Sequence, residues 1–323
     1  MRKISAALAL VGLTSVGLVG CSVEAAAPTC VEGDSDAMAS LVTVEGSPDS
    51  EPRVEMYSPF HVDDVLVERL ADGDGPELAT DSQLLVMDYS FYAGDSGELF
   101  ATTAYDGDLS NVFSMENVVS ALPGLSEALR CAQAGSRVVV GLPADGINPD
   151  YAAQAGLAED ESMLAVVDVR KVYLPQAEGE LRYNSSLGMP TVVRAPDGRP
   201  GVIIPDATAP EELVVQTLIE GDGDVVEPGD TVRVHYTGLT WAEREVFDST
   251  WDVEDGEVRA PAALSPDQVV PGFAAALEGQ TVGSQVLAVI PPDQGYGDQA
   301  SGAIPAGSTL VFVIDILGVD ETS

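Results

Sequence analysis

Three side chains in the stretch VRVHYTGLTWAEREVFDST, residues 232–250, carry the first chemical signal. Val232, Val234 and Tyr236 alternate with Arg233, His235 and Thr237, the period of a half-buried strand. Phe247 follows Tyr236 by eleven residues, with the carboxylate of Asp248 beside it. The spacing places two inward aromatics and one acid on adjacent strands. An acid beside a buried ring needs a partner to stay there. For each aromatic taken alone, plain core packing is the competing account. The chain has 2 histidines and 3 cysteines, and no Ser-His or Cys-His set suggests itself. His235 belongs to the strand and lies on the face opposite Tyr236.

The elements around these residues occur twice. PDSEPRVEMYSPFHVDDVLVERLADGDG (48–75) lies over PDGRPGVIIPDATAPEELVVQTLIEGDG (196–223) at a displacement of 148. PGLSEALRCAQAGSRVVVGLP (123–143) lies over PGFAAALEGQTVGSQVLAVIP (271–291) at the same displacement, and LAVVDV (164–169) resembles LVFVIDI (310–316). That period is too long for a solenoid. It predicts an α+β protein of two tandem domains, each an antiparallel sheet wrapped around one short helix. The domains are expected at 30–176 and 177–323, joined near residues 174–190. In the second copy the helix is PGFAAALEG, with Pro271 in its first turn and Gly279 at its stop. Such a short helix needs the sheet to persist, so Phe273 and Leu277 face inward. The last strand alternates Phe312, Ile314 and Ile316 with Val311, Val313 and Asp315, which predicts one core face and one wet face.

In this order GDTVRVHYTG, VFDST, VVPGFAAALEG, VGSQVLAVIPPDQGYG and AIPAGSTLVFVIDIL resemble the FK506-binding-protein (FKBP) family of peptidyl-prolyl cis-trans isomerases. The resemblance covers residues 221 to about 319. It implies a cup with Phe273 as its floor, Tyr236, Phe247 and Phe312 as walls, and Val269 and Ile304 at the sides. It further implies polar contacts from the Val270 N–H, the Tyr296 phenol and the Asp248 carboxylate. Isomerisation of Xaa-Pro bonds in such a cup requires no cofactor, metal, nucleophile or general base. Macrolide inhibitors are implied as ligands of the same cup. One departure bears on them: the loop STWDVEDGEVRAPAAL (249–264) is long, and Ala260 or Ala262 stands where a further aromatic wall is expected. Trp251 and Val258 are the candidates to fill that gap.

The first copy keeps Tyr89, Phe100, Val118, Val119 and Leu125, but Ala101 stands in the place of the acid and Asn148 in the place of Tyr296. The expectation is a surviving fold without the polar half of the site, a degenerate domain serving as spacer, client-holding surface or dimerisation unit.

The first twenty residues read as an export signal. Arg2 and Lys3 precede an apolar run, Ile4 to Val19, of 16 residues. That is short of the roughly 20 needed for a membrane span. The run ends in LVGC, which resembles a bacterial lipobox and implies cleavage before Cys21, diacylglyceryl attachment to its thiol and a tether over 21–29. Two acyl chains give a stable anchor where one does not. The expected location is outside the cytoplasm, attached to the bacterial membrane. There Cys30 and Cys131 are most simply a disulfide, though spacing alone does not show the geometry. A zinc site needs more ligands than two cysteines and two distant histidines supply.

Removing Arg2 and Lys3 leaves 12 basic residues against 53 acidic ones, a formal net charge of −41. Nucleic acid and anionic lipid are excluded as favourable partners on this balance. The runs DGDG (72–75) and EGDGD (220–224) lack the spacing of a calcium loop and read as turns. Three functions follow in order: an isomerase acting on exported proteins; a non-catalytic chaperone or scaffold for proline-containing segments; and, more weakly, a solute-binding lipoprotein, for which the βαβ alternation is missing.

Overall fold

The computed structural model describes residues 30, 35–183, 186–254 and 257–321. Cys21, with the expected signal and tether, lies outside these residues. Among the described residues no helix is long and apolar enough to cross a membrane.

The β-branched runs RVVVGL (Arg137–Leu142) and QVLAVI (Gln285–Ile290) lie inside two antiparallel sheets of one plan. In the first, the order is Leu66–Ala71, Arg137–Leu142, Met163–Val172, Leu84–Ala93 and Leu99–Thr102. In the second it is Val214–Glu220, Gln285–Ile290, Leu310–Val319, Val232–Thr240 and Val246–Ser249. The short strand Glu180–Leu181 extends the second sheet beyond Val214–Glu220. The register shifts repeat as well: Arg69/Ala71 answers Thr217/Ile219, and Phe91/Tyr92 answers Gly238/Leu239. A shift inserts a twist into a strand pair, so the two sheets share curvature as well as order.

The α+β class holds, with two corrections. The last strand has no wet face. Every residue from Leu310 to Gly318 is buried, because the hairpin Thr191–Arg194/Pro200–Ile203 covers the second sheet's outer side. Val192, Val202 and Ile204 pack there on Leu239, Leu287, Val289, Val311 and Val313. A matching hairpin, Val42–Glu45/Arg53–Met56, covers the first sheet over Val139, Leu164 and Val166. The second correction concerns the helices. The first half has four among its described residues, Ser35–Ala39, Met115–Ala121, Pro123–Leu129 and Pro149–Ala155, where one was expected. Met115–Ala121 can form because its counterpart in the second half, ALSPDQV, carries Pro266 where MENVVSA has no proline. Pro149–Ala155 has an Asn148 cap that accepts from the Asp150 N–H at 2.9 Å, and a left-handed Gly156 at its end. Among its described residues the second half has one α-helix, Pro271–Leu277.

Cys30 and Cys131 form a disulfide, with Cα atoms 5.5 Å apart. The chain between the sheets is hydrogen-bonded to the second one. Leu174 N–H donates to the Leu317 carbonyl (3.0 Å), Glu178 N–H to Gly283 (2.8 Å) and Ala177 N–H to the Asp315 carboxylate (2.9 Å).

Candidate active site

The inner face of the second sheet and the helix Pro271–Leu277 enclose the aromatic residues. Val234 and Tyr236 share that face by alternation, and both pack in one cluster with Phe247, Phe273, Phe312, Val269, Val270 and Ile304. Phe273 is brought in by the helix, whose first turn is set by Pro271. Its ring meets Phe312 edge to face at 5.0 Å and Tyr236 at 6.0 Å. Phe247 meets Phe312 at 5.6 Å, and Tyr236 meets Phe312 at 6.1 Å. T-shaped contacts of this kind add to the burial energy of each ring and fix their mutual angles.

Phe273, Phe312 and Ile304 are buried, while Tyr236 and Phe247 keep part of their surface open. Gly238, which sequence reasoning missed, makes the arrangement possible. It sits opposite Asp248 on one side and Phe312 on the other. A Cβ there would lie 2.6 Å from the Phe247 ring and 2.7 Å from the Phe312 ring. Its only signal in the sequence is the glycine of HYTG.

The polar rim has a definite order. The Tyr236 hydroxyl donates a short hydrogen bond to Asp248 Oδ2, so the acid next to a half-buried ring has its partner. Burial, then the hydrogen bond and charge of Asp248, push the Tyr236 phenol above its ordinary range. It therefore stays protonated as a donor. Arg259, also missed from sequence, places Nη1 3.5 Å from Asp248 Oδ1 and 3.2 Å from the Ser249 carbonyl. It is the one basic residue of the long loop, and that was its signal. Val270 caps the helix through its carbonyl, which accepts from Phe273 N–H at 2.9 Å and Ala274 N–H at 3.2 Å. Among the described residues its own N–H donates to no intrachain acceptor. Tyr296 stands apart from the packed rings, 42% exposed, in the loop after Pro291 and Pro292. Its nearness further disfavours ionisation of the Tyr236 phenol.

Neither candidate for the missing wall joins the cluster. Trp251 is 3% exposed, but it lies on the sheet's other side, 4.4 Å from the His235 ring and against Gly198. Val258 is half-buried and outside the aromatic cluster. Ala262 packs with the aromatic cluster, and Ala260 packs elsewhere, on Leu84, Val86 and Tyr173 of the first half.

His235 faces away from the rings, as its alternation requires, and its Nδ1 lies 2.9 Å from Thr250 Oγ1. Burial lowers its pKa to about 4. Above pH ~6.5 the ring is neutral in both folded and unfolded chains. As pH falls from there towards 4, the unfolded chain takes the proton first, so stability is lost by up to ~3 kcal/mol. Burial raises the Asp315 carboxyl on the same face and works in the opposite sense. Urea midpoints at pH 7.5 and 4.5 should therefore fall further for the natural chain than for His235→Asn, which keeps Asp315. Equal falls would remove His235 as the cause.

In the first half Tyr89 and Phe100 are half-buried against the core, with Ala101 where Asp248 stands in the second half. Tyr89 stacks on Phe91 at 4.4 Å and meets Phe113 edge-on at 6.2 Å. The extra helix Pro149–Ala155 packs Tyr151, Ala152 and Ala155 onto this same core. Asn148 is spent as its cap. Tyr151 was not anticipated; the Asn-Pro pair before it was the available helix-start signal.

Residues 223–317 match the family described as FKBP-type peptidyl-prolyl cis-trans isomerase. A probable FK506-binding protein of Corynebacterium glutamicum is 36% identical over 120 residues, which are 37% of this chain and 97% of that protein. The chain belongs to the FKBP-type peptidyl-prolyl cis-trans isomerase family. An FK506-binding protein of Streptomyces anulatus is 34% identical over 123 residues, 38% of this chain and 97% of the relative. Among solved structures, FkpA from Escherichia coli is similar at 28% identity over 43% of this chain and 55% of that one, with a TM-score of 0.32. As an FKBP-type isomerase the chain lowers the barrier to rotation about the bond before proline, which is about 18–20 kcal/mol for a peptide bond.

Proposed function

We propose that this FKBP carries out its isomerisation in the aromatic cup of the second half, and that its substrates are Xaa-Pro bonds of exported polypeptides. The observation that carries the reading is the convergence of Tyr236, Phe247, Phe273 and Phe312 around one apolar recess. Beside it stand one oriented acid, Asp248, and one unspent N–H, at Val270. A planar amide separates charge between oxygen and nitrogen, and a twisted one much less. Apolar walls therefore disfavour the planar ground state more than the twisted form, which is tighter binding of the transition state. The Val270 N–H and Tyr296 O–H hold the carbonyls on either side of the rotating bond, so the proline ring turns against a fixed frame. Asp248 and Arg259 set the direction of the Tyr236 phenol at the rim.

On this reading the chain is a tandem of two FKBP-like domains, about 30–176 and 177–323, and only the second is catalytic. The repeated strand order and repeated register shifts support the tandem. Ala101 and the packed Tyr151 support loss of the first site. The sequence LVGC supports anchoring to the bacterial membrane through lipidated Cys21, facing exported clients. An NMR titration with a Xaa-Pro tetrapeptide tests the cup. The largest amide shifts are expected at Val270, Tyr236 and Phe312, with none around Tyr89, and shifts centred on the first half would reject the reading. Anchoring is tested by fractionation, since Cys21→Ser should move the chain out of the membrane fraction.

A further inference from the structure

The first half touches the second where the long loop of the cup passes by. Ala260 leaves that loop and packs into a cluster formed by Leu84, Val86 and Tyr173, with Leu109 and Val112 at its margin. Leu84, Val86 and Tyr173 are all nearly fully buried. The neighbours of Ala260 in the chain serve the cup. Arg259 reaches Asp248 and the Ser249 carbonyl. Ala262 and Leu264 pair with the Val232–Thr240 strand and pack on the aromatic core. The loop is thus held at its return by the second sheet and, two residues earlier, by the first half.

The surface beneath Ala260 is tied to the frame that carries the rings. The Tyr173 hydroxyl donates to Asp320 Oδ1 at 2.8 Å, and Arg233 grips both oxygens of the same carboxylate at 2.8 and 2.8–3.0 Å. Lys171 Nζ donates to the Val319 carbonyl at 2.8 Å. Tyr173 lies so close to Gly318 that a Cβ there would stand 2.4 Å from its ring. Arg233 is on the Val232–Thr240 strand with Tyr236, and Gly318 is on the strand with Phe312. One tyrosine therefore supports Ala260 and clamps two of the three strands that bear the cup's walls.

We propose that the first half, in place of a site of its own, is the platform that positions the 249–264 loop, so that Arg259 meets Asp248 and the cup's rim keeps its shape. A small apolar residue at 260 suits this, because the position packs on Leu84, Val86 and Tyr173. The proposal rests on the cup being the site. Leu109, Val112 and Ala260 act as positioning residues and touch no substrate.

The test uses the full chain and a Xaa-Pro tetrapeptide followed by magnetisation-exchange NMR. Leu109→Asp/Val112→Asp, at half-buried positions of the first half, should raise KM about five- to tenfold with kcat within twofold, as a displaced rim would. Leu109→Met/Val112→Ile should restore the natural KM. Ala260→Glu, which approaches the contact from the loop, should raise KM similarly, and combining it with Leu109→Asp/Val112→Asp should add little, since both break one contact. A natural KM in the folded Leu109→Asp/Val112→Asp chain, or in Ala260→Glu, overturns the proposal. Fully additive effects would overturn it too. Phe247→Ala/Asp248→Ala measured alongside separates the two readings: if it lowers kcat/KM about 30- to 100-fold while the first-half variants are normal, the platform fails and the cup stands. If it too is fully active, the cup reading itself falls.

Discussion

Phe247→Ala/Asp248→Ala is expected to lower kcat/KM on Xaa-Pro peptides about 30- to 100-fold, equivalent to about 2–3 kcal/mol of transition-state stabilisation. Phe247 supplies one wall and holds the Phe312 ring at 5.6 Å; its removal lets water into the recess, where a planar amide is better solvated than a twisted one. Asp248 is the acceptor for Tyr236. Its removal leaves a half-buried phenol without a partner, at a cost of about 1–3 kcal/mol, unless the ring turns out of the cup. The two positions are adjacent, so their effects will not add simply. Asp248→Asn divides the roles of the acid. Its amide oxygen still accepts from Tyr236 but carries no charge for Arg259 or for the rotating carbonyl. Activity near that of the natural chain assigns orientation of the phenol as the role, and a loss matching Asp248→Ala assigns charge. Magnetisation-exchange NMR provides the rate, and an unchanged thermal transition shows that the fold is intact. Natural activity in the folded double variant would remove the cup as the catalytic site.

Arg137→Ala should lower the stability of the first half by about 3–5 kcal/mol, because it leaves a buried carboxylate unpaired. Arg137 and Asp168 are both essentially inaccessible, and they meet through two bonds, 2.6 and 2.7 Å long. Arg137 also donates to the Ser50 carbonyl at 2.7 Å, which fastens the outer hairpin to the sheet. The melting temperature should fall by about 6–20 °C at 2–4 °C per kcal/mol for a unit of this size. Burial already pushes the Asp168 carboxyl upward, against the pull of Arg137. Without Arg137 the acid takes a proton more readily, so the deficit should shrink as pH falls. The second half shows a milder substitute: Gln285 opposes Asp315 in the sheet and donates to it at 2.8 Å. Arg137→Gln should accordingly cost less than Arg137→Ala. Calorimetry across pH 5–8 tests the order, and equal melting temperatures for all three chains would show that the pair holds nothing.

Local features are the ones that could be read from the chain alone. Tyr236 and Phe247 lie on one hairpin, so their separation and the strand period put them on one side of one sheet. Pro271, Phe273 and Gly279 lie within one short helix and its stop, and helix signals act over a few residues. The 148-residue displacement is likewise visible without coordinates, because a repeated plan repeats its apolar pattern. Tertiary structure decided whatever depends on residues distant in the chain. Val311 and Val313 are apolar enough for a core, yet a hairpin more than a hundred residues earlier is needed to help cover them. Asp248 and Arg259 are only eleven residues apart, yet the path of a long loop, which no strand period describes, brings them together. Ala260 and Ala262 are chemically identical and two apart, but one faces Tyr173 and the other the aromatic core. Periodicity assigns a side chain to a face; what covers that face is settled by long-range packing, which leaves no mark on the spacing of neighbouring residues.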